Sequence, residues 1–91
     1  MTDANQLREK IRDAVRESVH RIAGIPPTDI VDASRYNEDL GLDSLSALEV
    51  VVDIEYAFKV KLAEGRIPSI KTVQDTLDVV QEYLAAVQPQ V

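Results

Sequence analysis

The sequence predicts one all-α domain, a four-helix bundle of three long helices and one short helix. Three amphipathic stretches with apolar residues at helical spacing carry this prediction, and a shorter segment separates the second stretch from the third. At 91 residues the chain is too short for two independently stable cores. A hydrophobic content of 45% is normal for a folded protein. Residues 1–91 are therefore interpreted as a single domain.

The first helix is predicted over residues 4–23. Leu7 and Ile11 begin an apolar stripe that continues at helical spacing, and charged residues occupy the other faces. Asp3 precedes this stretch as a candidate N-cap, and Gly24 follows it as a terminator. The two prolines after Gly24 prevent the helix from restarting at once.

A long connection joins the first two helices, from about Ile25 to Asp43. Loops of this length are unusual in small domains and are often functional. Apolar residues spaced along it predict that the loop is ordered and packs across the helix ends: Ile25, Ile30, Val31, Tyr36, Leu40 and Leu42.

The second helix is predicted over residues 44–58, with Asp43 as its N-cap. It carries two sets of apolar residues, which is more than one buried stripe requires. The set expected to face the core is Ala47, Val50, Val51, Ile54 and Phe58. The surplus set is Leu45, Leu48 and Val52, of which the last two follow Ser44 on its side of the helix.

The remaining chain predicts a short helix over 63–67 and a last helix over 72–87. Thr72 and Asp75 have the spacing of a capping box at the start of the last helix. Residues 88–91 are expected to be a frayed tail.

The charge distribution excludes one class of partner. A net charge of −6 argues against nucleic-acid binding, which needs a basic face. Eight acidic residues lie between Asp29 and Glu55, against the single base Arg35. Because these acids surround one particular serine, Ser44, they indicate a docking surface as well as a solvated face.

Residue content also excludes most kinds of catalytic site. The chain has no cysteine and one histidine, so disulfides, thiolate metal sites and a cysteine nucleophile are excluded. A serine hydrolase would need a base, but His20 lies on another predicted helix and no Gly-x-Ser-x-Gly motif is present. We therefore expect a protein that is not an enzyme and holds no metal. The polar N-terminal residues and the lack of a long apolar run predict a cytoplasmic location.

The most informative stretch is Glu38-Asp39-Leu40-Gly41-Leu42-Asp43-Ser44-Leu45-Ser46-Ala47-Leu48-Glu49. It places the Ser44 hydroxyl in the first turn of a helix, where free amide groups and partial positive charge favour a phosphate ester. Gly41 permits a tight turn and a close approach by another molecule. Spacing alone leaves open the alternative that Asp43 is only a cap and Ser44 only a good first-turn residue.

This stretch resembles the attachment motif of acyl carrier proteins, in which Asp-Ser-Leu follows an acidic-Leu-Gly approach. The resemblance extends to Tyr36, Glu49, Phe58 and the run 71–75, and so covers nearly the whole chain. It implies a four-helix bundle of acyl-carrier type with a long first loop.

The resemblance also implies a function. Ser44 would carry 4'-phosphopantetheine, transferred from coenzyme A by a separate phosphopantetheinyl transferase. Asp43 would cap the helix and contact the transferase's magnesium ion. The chain would hold acyl intermediates as thioesters on this arm for fatty acid, polyketide or specialised lipid biosynthesis.

The implied partners are acyl transferases, synthases and other acyl-processing enzymes with basic docking patches. The residues expected to meet them are Glu38, Asp39, Leu45, Leu48, Glu49, Val52, Asp53 and Glu55. Charge complementarity of this kind steers encounter more than it adds affinity. We expect a monomer that neither spans a membrane nor binds nucleic acid.

Several positions leave the pathway open. Ser46, Lys59 and Ala63 depart from the common pattern of fatty acid synthesis carriers. One alternative is a peptidyl or aminoacyl carrier, including the D-alanyl type. The other is an unmodified helical interaction module.

Overall fold

The computed structural model describes residues 4–87 of the chain. It is all-helical, and these residues form no β-strand, only an isolated bridge between Arg35 and Thr72. The elements in chain order are α1 (Ala4–Ala23), a 3-10 turn (Pro27–Asp29), α2 (Ser44–Phe58), a second 3-10 turn (Ile67–Ser69) and α3 (Val73–Val87). The three long helices agree with the sequence prediction, with α3 beginning one residue later than expected. The predicted cap Asp3 and the predicted tail 88–91 lie outside the described residues.

The short α-helix predicted over 63–67 is not formed, so the described residues do not confirm the predicted count of four helices. Residues 64–66 form a turn, and the second 3-10 turn follows. The backbone bonds there span three residues, as from the Ile70 amide to the Ile67 carbonyl at 3.0 Å. Pro68 has no N–H to continue an α-helix, but it fits the first turn of a 3-10 helix, where that hydrogen is not needed.

The core lies between α1 and the two other long helices, and α1 contacts both of them. Ile11, Val15 and Val19 repeat every four residues along α1 and are fully buried. All five residues of the stripe predicted on α2 contribute to the core. Val50, Val51 and Ile54 are buried. Ala47 and Phe58 are partly buried and pack against the buried cluster.

The long loop packs onto the core through most of the residues predicted to do so. Ile30, Tyr36, Leu40 and Leu42 are buried, and Ile25 is partly buried. The prediction for Val31 was wrong, because its side chain is 52% exposed. Val31 opens a turn in which its amide donates to the Ser34 hydroxyl and its carbonyl accepts from the Ser34 amide.

Arginines of α1 hold the first half of this loop. Arg12 donates two hydrogen bonds to the Asp32 carboxylate, at 2.7 and 2.9 Å. These bonds lower the pKa of Asp32 below its ordinary value, against the opposing effect of partial burial. Arg16 donates to the Ile30 carbonyl at 3.0 Å. The loop is therefore attached to α1 by polar contacts as well as by burial.

The start of α3 holds the second half of the loop. The Tyr36 amide donates to the Lys71 carbonyl at 3.0 Å, and the Val73 amide donates to the Ser34 carbonyl at 3.0 Å. The capping box is confirmed, because the Asp75 amide donates to the Thr72 hydroxyl at 3.0 Å. In return, the Thr72 amide donates to the Asp75 carboxylate at 3.1 Å.

A buried hydrogen bond joins the loop to α3. The Tyr36 hydroxyl lies 2.6 Å from the Thr76 hydroxyl, and both side chains are almost fully buried. Thr76 donates its own hydrogen to the Thr72 carbonyl, so its oxygen accepts the Tyr36 hydrogen. Burial raises the pKa of Tyr36, which keeps the phenol protonated as a donor.

Removing the donor and removing the acceptor of this hydrogen bond should lower the free energy of unfolding by different amounts. Tyr36→Phe should lower the free energy of unfolding by about 1 kcal/mol, because Thr76 keeps its bond to the Thr72 carbonyl. Thr76→Val should cost about 1–3 kcal/mol, since it leaves a buried phenol without an acceptor. Urea denaturation of both variants measures this difference. A smaller loss for Thr76→Val than for Tyr36→Phe would contradict the assigned direction of the bond.

Candidate functional site

Ser44 is the first residue of α2, and its side chain is exposed. None of the hydrogen bonds within the described chain engages its hydroxyl. The backbone just before it is fixed, since the Leu42 amide donates to the Tyr36 carbonyl at 2.8 Å and Asn37 donates to the Leu42 carbonyl. Gly41 has a φ of 68°, a left-handed conformation that favours glycine. The loop therefore presents an uncommitted hydroxyl from a fixed backbone.

Asp43 caps α2 as the sequence predicts. Its carboxylate accepts the Ser46 amide hydrogen at 2.8 Å. This bond, with a smaller contribution from the Ser46 hydroxyl, lowers the pKa of Asp43. The side chain therefore stays ionised next to Ser44 and still exposes oxygen atoms to solvent.

The depressed pKa of Asp43 predicts a pH-dependent contribution to stability. The contribution should be complete above the unfolded pKa of about 4 and should disappear as the pH falls through the lower folded value. Asp43→Ala should therefore lower the thermal midpoint at pH 7, and its difference from wild type should shrink towards pH 2. Asp43→Asn serves as the control, because asparagine caps well without a charge. An Asp43→Ala deficit of equal size at both pH values would contradict this account.

The outward face of α2 carries an exposed apolar stripe. Leu45 is 66% exposed, and Leu48 and Val52 are also exposed, as the surplus apolar pattern predicts. The stripe extends to Tyr56, which is 86% exposed. Sequence reasoning missed Tyr56, although its position four residues after Val52 is the signal that places it on this face. The stripe Leu45, Leu48, Val52 and Tyr56 is called the α2 stripe below.

Most of the acids predicted for docking have partners within the chain. Three of them pair with two arginines: Arg35 bonds Glu38 and Asp39, and Arg21 bonds Asp53. The bonds from Arg35 lower the pKa of Asp39.

Two other acids differ from these in their surroundings. Glu55 accepts the Leu62 amide hydrogen at 2.8 Å and so fixes the chain after α2. Glu49 is exposed and forms no ion pair with another described residue. Of the acids predicted for docking, only Glu49 has no bonded partner among the described residues.

A groove of about 380 Å³ opens beside Ser44, between α2 and the second 3-10 turn. Most of its wall is apolar, and Asn37 and Lys71 contribute polar groups. Its lining residues are Asn37, Ser44, Ala47, Leu48, Val51, Ile67, Pro68, Ile70 and Lys71. We call it the Ser44 groove. Its far wall was not predicted, because the sequence indicated a short helix over 63–67 rather than the 3-10 turn Ile67–Ser69 that faces α2.

The lone histidine of the chain lies away from Ser44. It is not among the described residues that line the Ser44 groove. His20 lies near the end of α1, where its Nδ1 is 3.0 Å from the Ile25 carbonyl. A carbonyl only accepts, so Nδ1 carries the proton and binds the loop. Within residues 4–87, no group of three potential ligands is arranged to hold a metal ion. No helix in this part of the chain is long and apolar enough to cross a bilayer.

Comparison with known proteins identifies the family. A family model described as a phosphopantetheine attachment site matches residues 13–80. The chain is 37% identical over 71 residues to an acyl carrier protein of Acidothermus cellulolyticus, covering 78% of this chain and 84% of that protein. It is 31% identical over 74 residues to an acyl carrier protein of Thermobifida fusca, covering 81% and 94% of the two chains. The chain belongs to the acyl carrier protein family.

Membership of the acyl carrier protein family brings a covalent 4'-phosphopantetheine group. The residues at the start of α2 fit such a group chemically. An exposed hydroxyl can form a phosphate ester, and the amide groups of the first helical turn favour the ester's negative charge. The Ser44 groove offers apolar surface next to that hydroxyl.

Proposed function

We propose that Ser44 bears the 4'-phosphopantetheine group and that the chain holds acyl intermediates on it as thioesters. The observation that carries this proposal is the free Ser44 hydroxyl at a capped helix start in a chain of this family. Modification forms a bond between Ser44 Oγ and the phosphorus of the pantetheine phosphate. The bond to the 3',5'-ADP part of coenzyme A breaks, and the hydroxyl proton is lost.

The chain's own residues supply position rather than catalysis. The arm, when bound, supplies the thiol that activates an acyl group as a thioester, and the chain has no cysteine to compete with it. Asp43 keeps the helix start in place and offers carboxylate oxygens to the magnesium ion of the transferase. We propose accordingly that turnover takes place on partner enzymes.

The Ser44 groove supports an apolar cargo. Its lining includes the apolar side chains of Ala47, Val51 and Ile70, and burial of each methylene there would contribute about 0.8 kcal/mol. Fatty acid, polyketide and specialised lipid pathways all supply such acyl groups. The departures at Ser46, Lys59 and Ala63 favour a specialised pathway as much as fatty acid synthesis.

We propose that partners dock on the α2 stripe and the acids around it. Leu45, Leu48 and Val52 provide an apolar centre, and Glu49 provides an uncommitted carboxylate. The other docking acids predicted from sequence are Glu38, Asp39, Asp53 and Glu55, which would present the remaining oxygens of carboxylates already bonded within the chain. These surfaces fit transferases, synthases and other acyl-processing enzymes that offer basic and apolar groups. A monomeric state and a cytoplasmic location stay predictions.

Intact mass spectrometry tests the central assignment. The full chain is incubated with coenzyme A, magnesium and a broad-specificity phosphopantetheinyl transferase. Wild type and Ser46→Ala should gain one phosphopantetheine, whereas Ser44→Ala should gain none. A wild-type chain that folds but gains nothing would favour the unmodified interaction module. Loading by an amino-acid adenylating enzyme instead of acyl transferases would favour the aminoacyl carrier.

The α2 stripe makes a separate prediction for the same reaction. Leu45→Ala should lower kcat/KM of the transferase by roughly fivefold, because about 1 kcal/mol of apolar burial at the interface is lost. Val31→Ala is the matched control, since Val31 is similarly exposed but lies in the long loop. Equal rates for Leu45→Ala and Val31→Ala would remove the α2 stripe from the docking surface.

A further inference from the structure

Among the described residues that line the Ser44 groove, Lys71 is the only lysine or arginine. Its side chain is exposed, and none of the ion pairs among residues 4–87 involves it. A long cationic side chain with no internal partner therefore shares a groove with the proposed attachment serine.

The backbone of Lys71 is fixed even though its side chain is not engaged. Its amide donates to the Asp75 carboxylate at 2.9 Å, and its carbonyl accepts the Tyr36 amide hydrogen at 3.0 Å. The next residue, Thr72, belongs to the capping box of α3. The ammonium group is thus carried on a flexible four-carbon stem from an anchored point in the groove wall.

Two arginines on the same part of the molecule are committed elsewhere. Arg35 pairs with Glu38 and Asp39. Arg66 donates two hydrogen bonds to Glu82, each at 3.1 Å. An anion placed on Ser44 would adjoin the ionised Asp43 carboxylate, so a free cation in the same groove would offset that repulsion.

We propose that the Lys71 ammonium pairs with the phosphodiester on Ser44 and thereby directs the first part of the arm along the Ser44 groove. This inference rests on the proposed modification of Ser44. The anion that Lys71 attracts has two possible sources, the phosphodiester itself or a carboxylate on the acyl cargo. The phosphodiester is favoured because its attachment atom lines the same groove, whatever cargo is carried.

Pairing of Lys71 with the phosphodiester would place the first part of the arm against the groove, and NMR detects that position. The two geminal methyl groups of pantetheine lie on the carbon that follows the first methylene group after the phosphodiester. If Lys71 holds the phosphodiester over the groove, these methyl groups lie near the apolar side chains of Val51 and Ile70. Nuclear Overhauser effects between the two sets of methyl groups report that proximity in the holo chain without cargo.

The experiment compares holo wild type with Lys71→Gln and Lys61→Gln. Lys61 is a matched control, because it is exposed, forms no ion pair with the described residues and follows α2 at the end remote from Ser44. Wild type and Lys61→Gln should show the Overhauser effects. Lys71→Gln should weaken them roughly two- to fivefold, the range expected for loss of an exposed ion pair. Backbone amide spectra of each variant check that the fold is intact.

Two results would overturn the proposal. Undiminished Overhauser effects in Lys71→Gln would show that apolar contact alone places the arm. The second result is that the Overhauser effects are absent from the holo chain without cargo and arise when it is loaded with a succinyl group but not with a butyryl group. That result would assign Lys71 to a carboxylate on the cargo instead. Intact mass establishes the holo state beforehand, and failure at that stage would overturn the proposed modification of Ser44 together with this inference.

Discussion

Burial of Tyr36 between the long loop and α3 is the constraint on which the rest of the structure depends. Its hydroxyl bonds Thr76, its amide bonds the Lys71 carbonyl, and its carbonyl accepts the Leu42 amide hydrogen. One residue therefore links the loop to α3 and to the segment just before Ser44. The position of the exposed hydroxyl follows from buried contacts, because a loop without them would not hold a helix start in place.

The surface around Ser44 has fewer unpaired carboxylates than the sequence indicates. Arginine partners offset the charges of Glu38, Asp39 and Asp53, which leaves Glu49 as an uncommitted carboxylate beside an apolar stripe. Exposed ion pairs contribute little and exchange readily. In the proposed docking, partners would therefore compete for these carboxylates, and the apolar stripe would supply contacts that salt does not screen. A carrier that must release each partner is well served by such a combination.

The sequence predicted the features that depend on local chemistry. Helix spacing gave α1, α2 and α3, and the caps at Asp43 and Thr72 were confirmed. The features it did not predict depend on how distant segments meet. Pro68 produces a 3-10 turn instead of a helix, and that turn forms the wall of the Ser44 groove. The pairing of Asp53 with Arg21, 32 residues earlier in the chain, likewise has no signal in residue spacing.

The most direct test of the account is tandem mass spectrometry that localises the phosphopantetheine on the modified chain. Cleavage after Arg35 and Lys59 yields a peptide of residues 36–59 that contains both Ser44 and Ser46. We expect N-terminal fragments ending at Asp43 to lack the added mass and those ending at Leu45 to carry it. Added mass that first arises at Ser46, or outside this peptide, would contradict the central claim that the capped start of α2 presents Ser44 for modification.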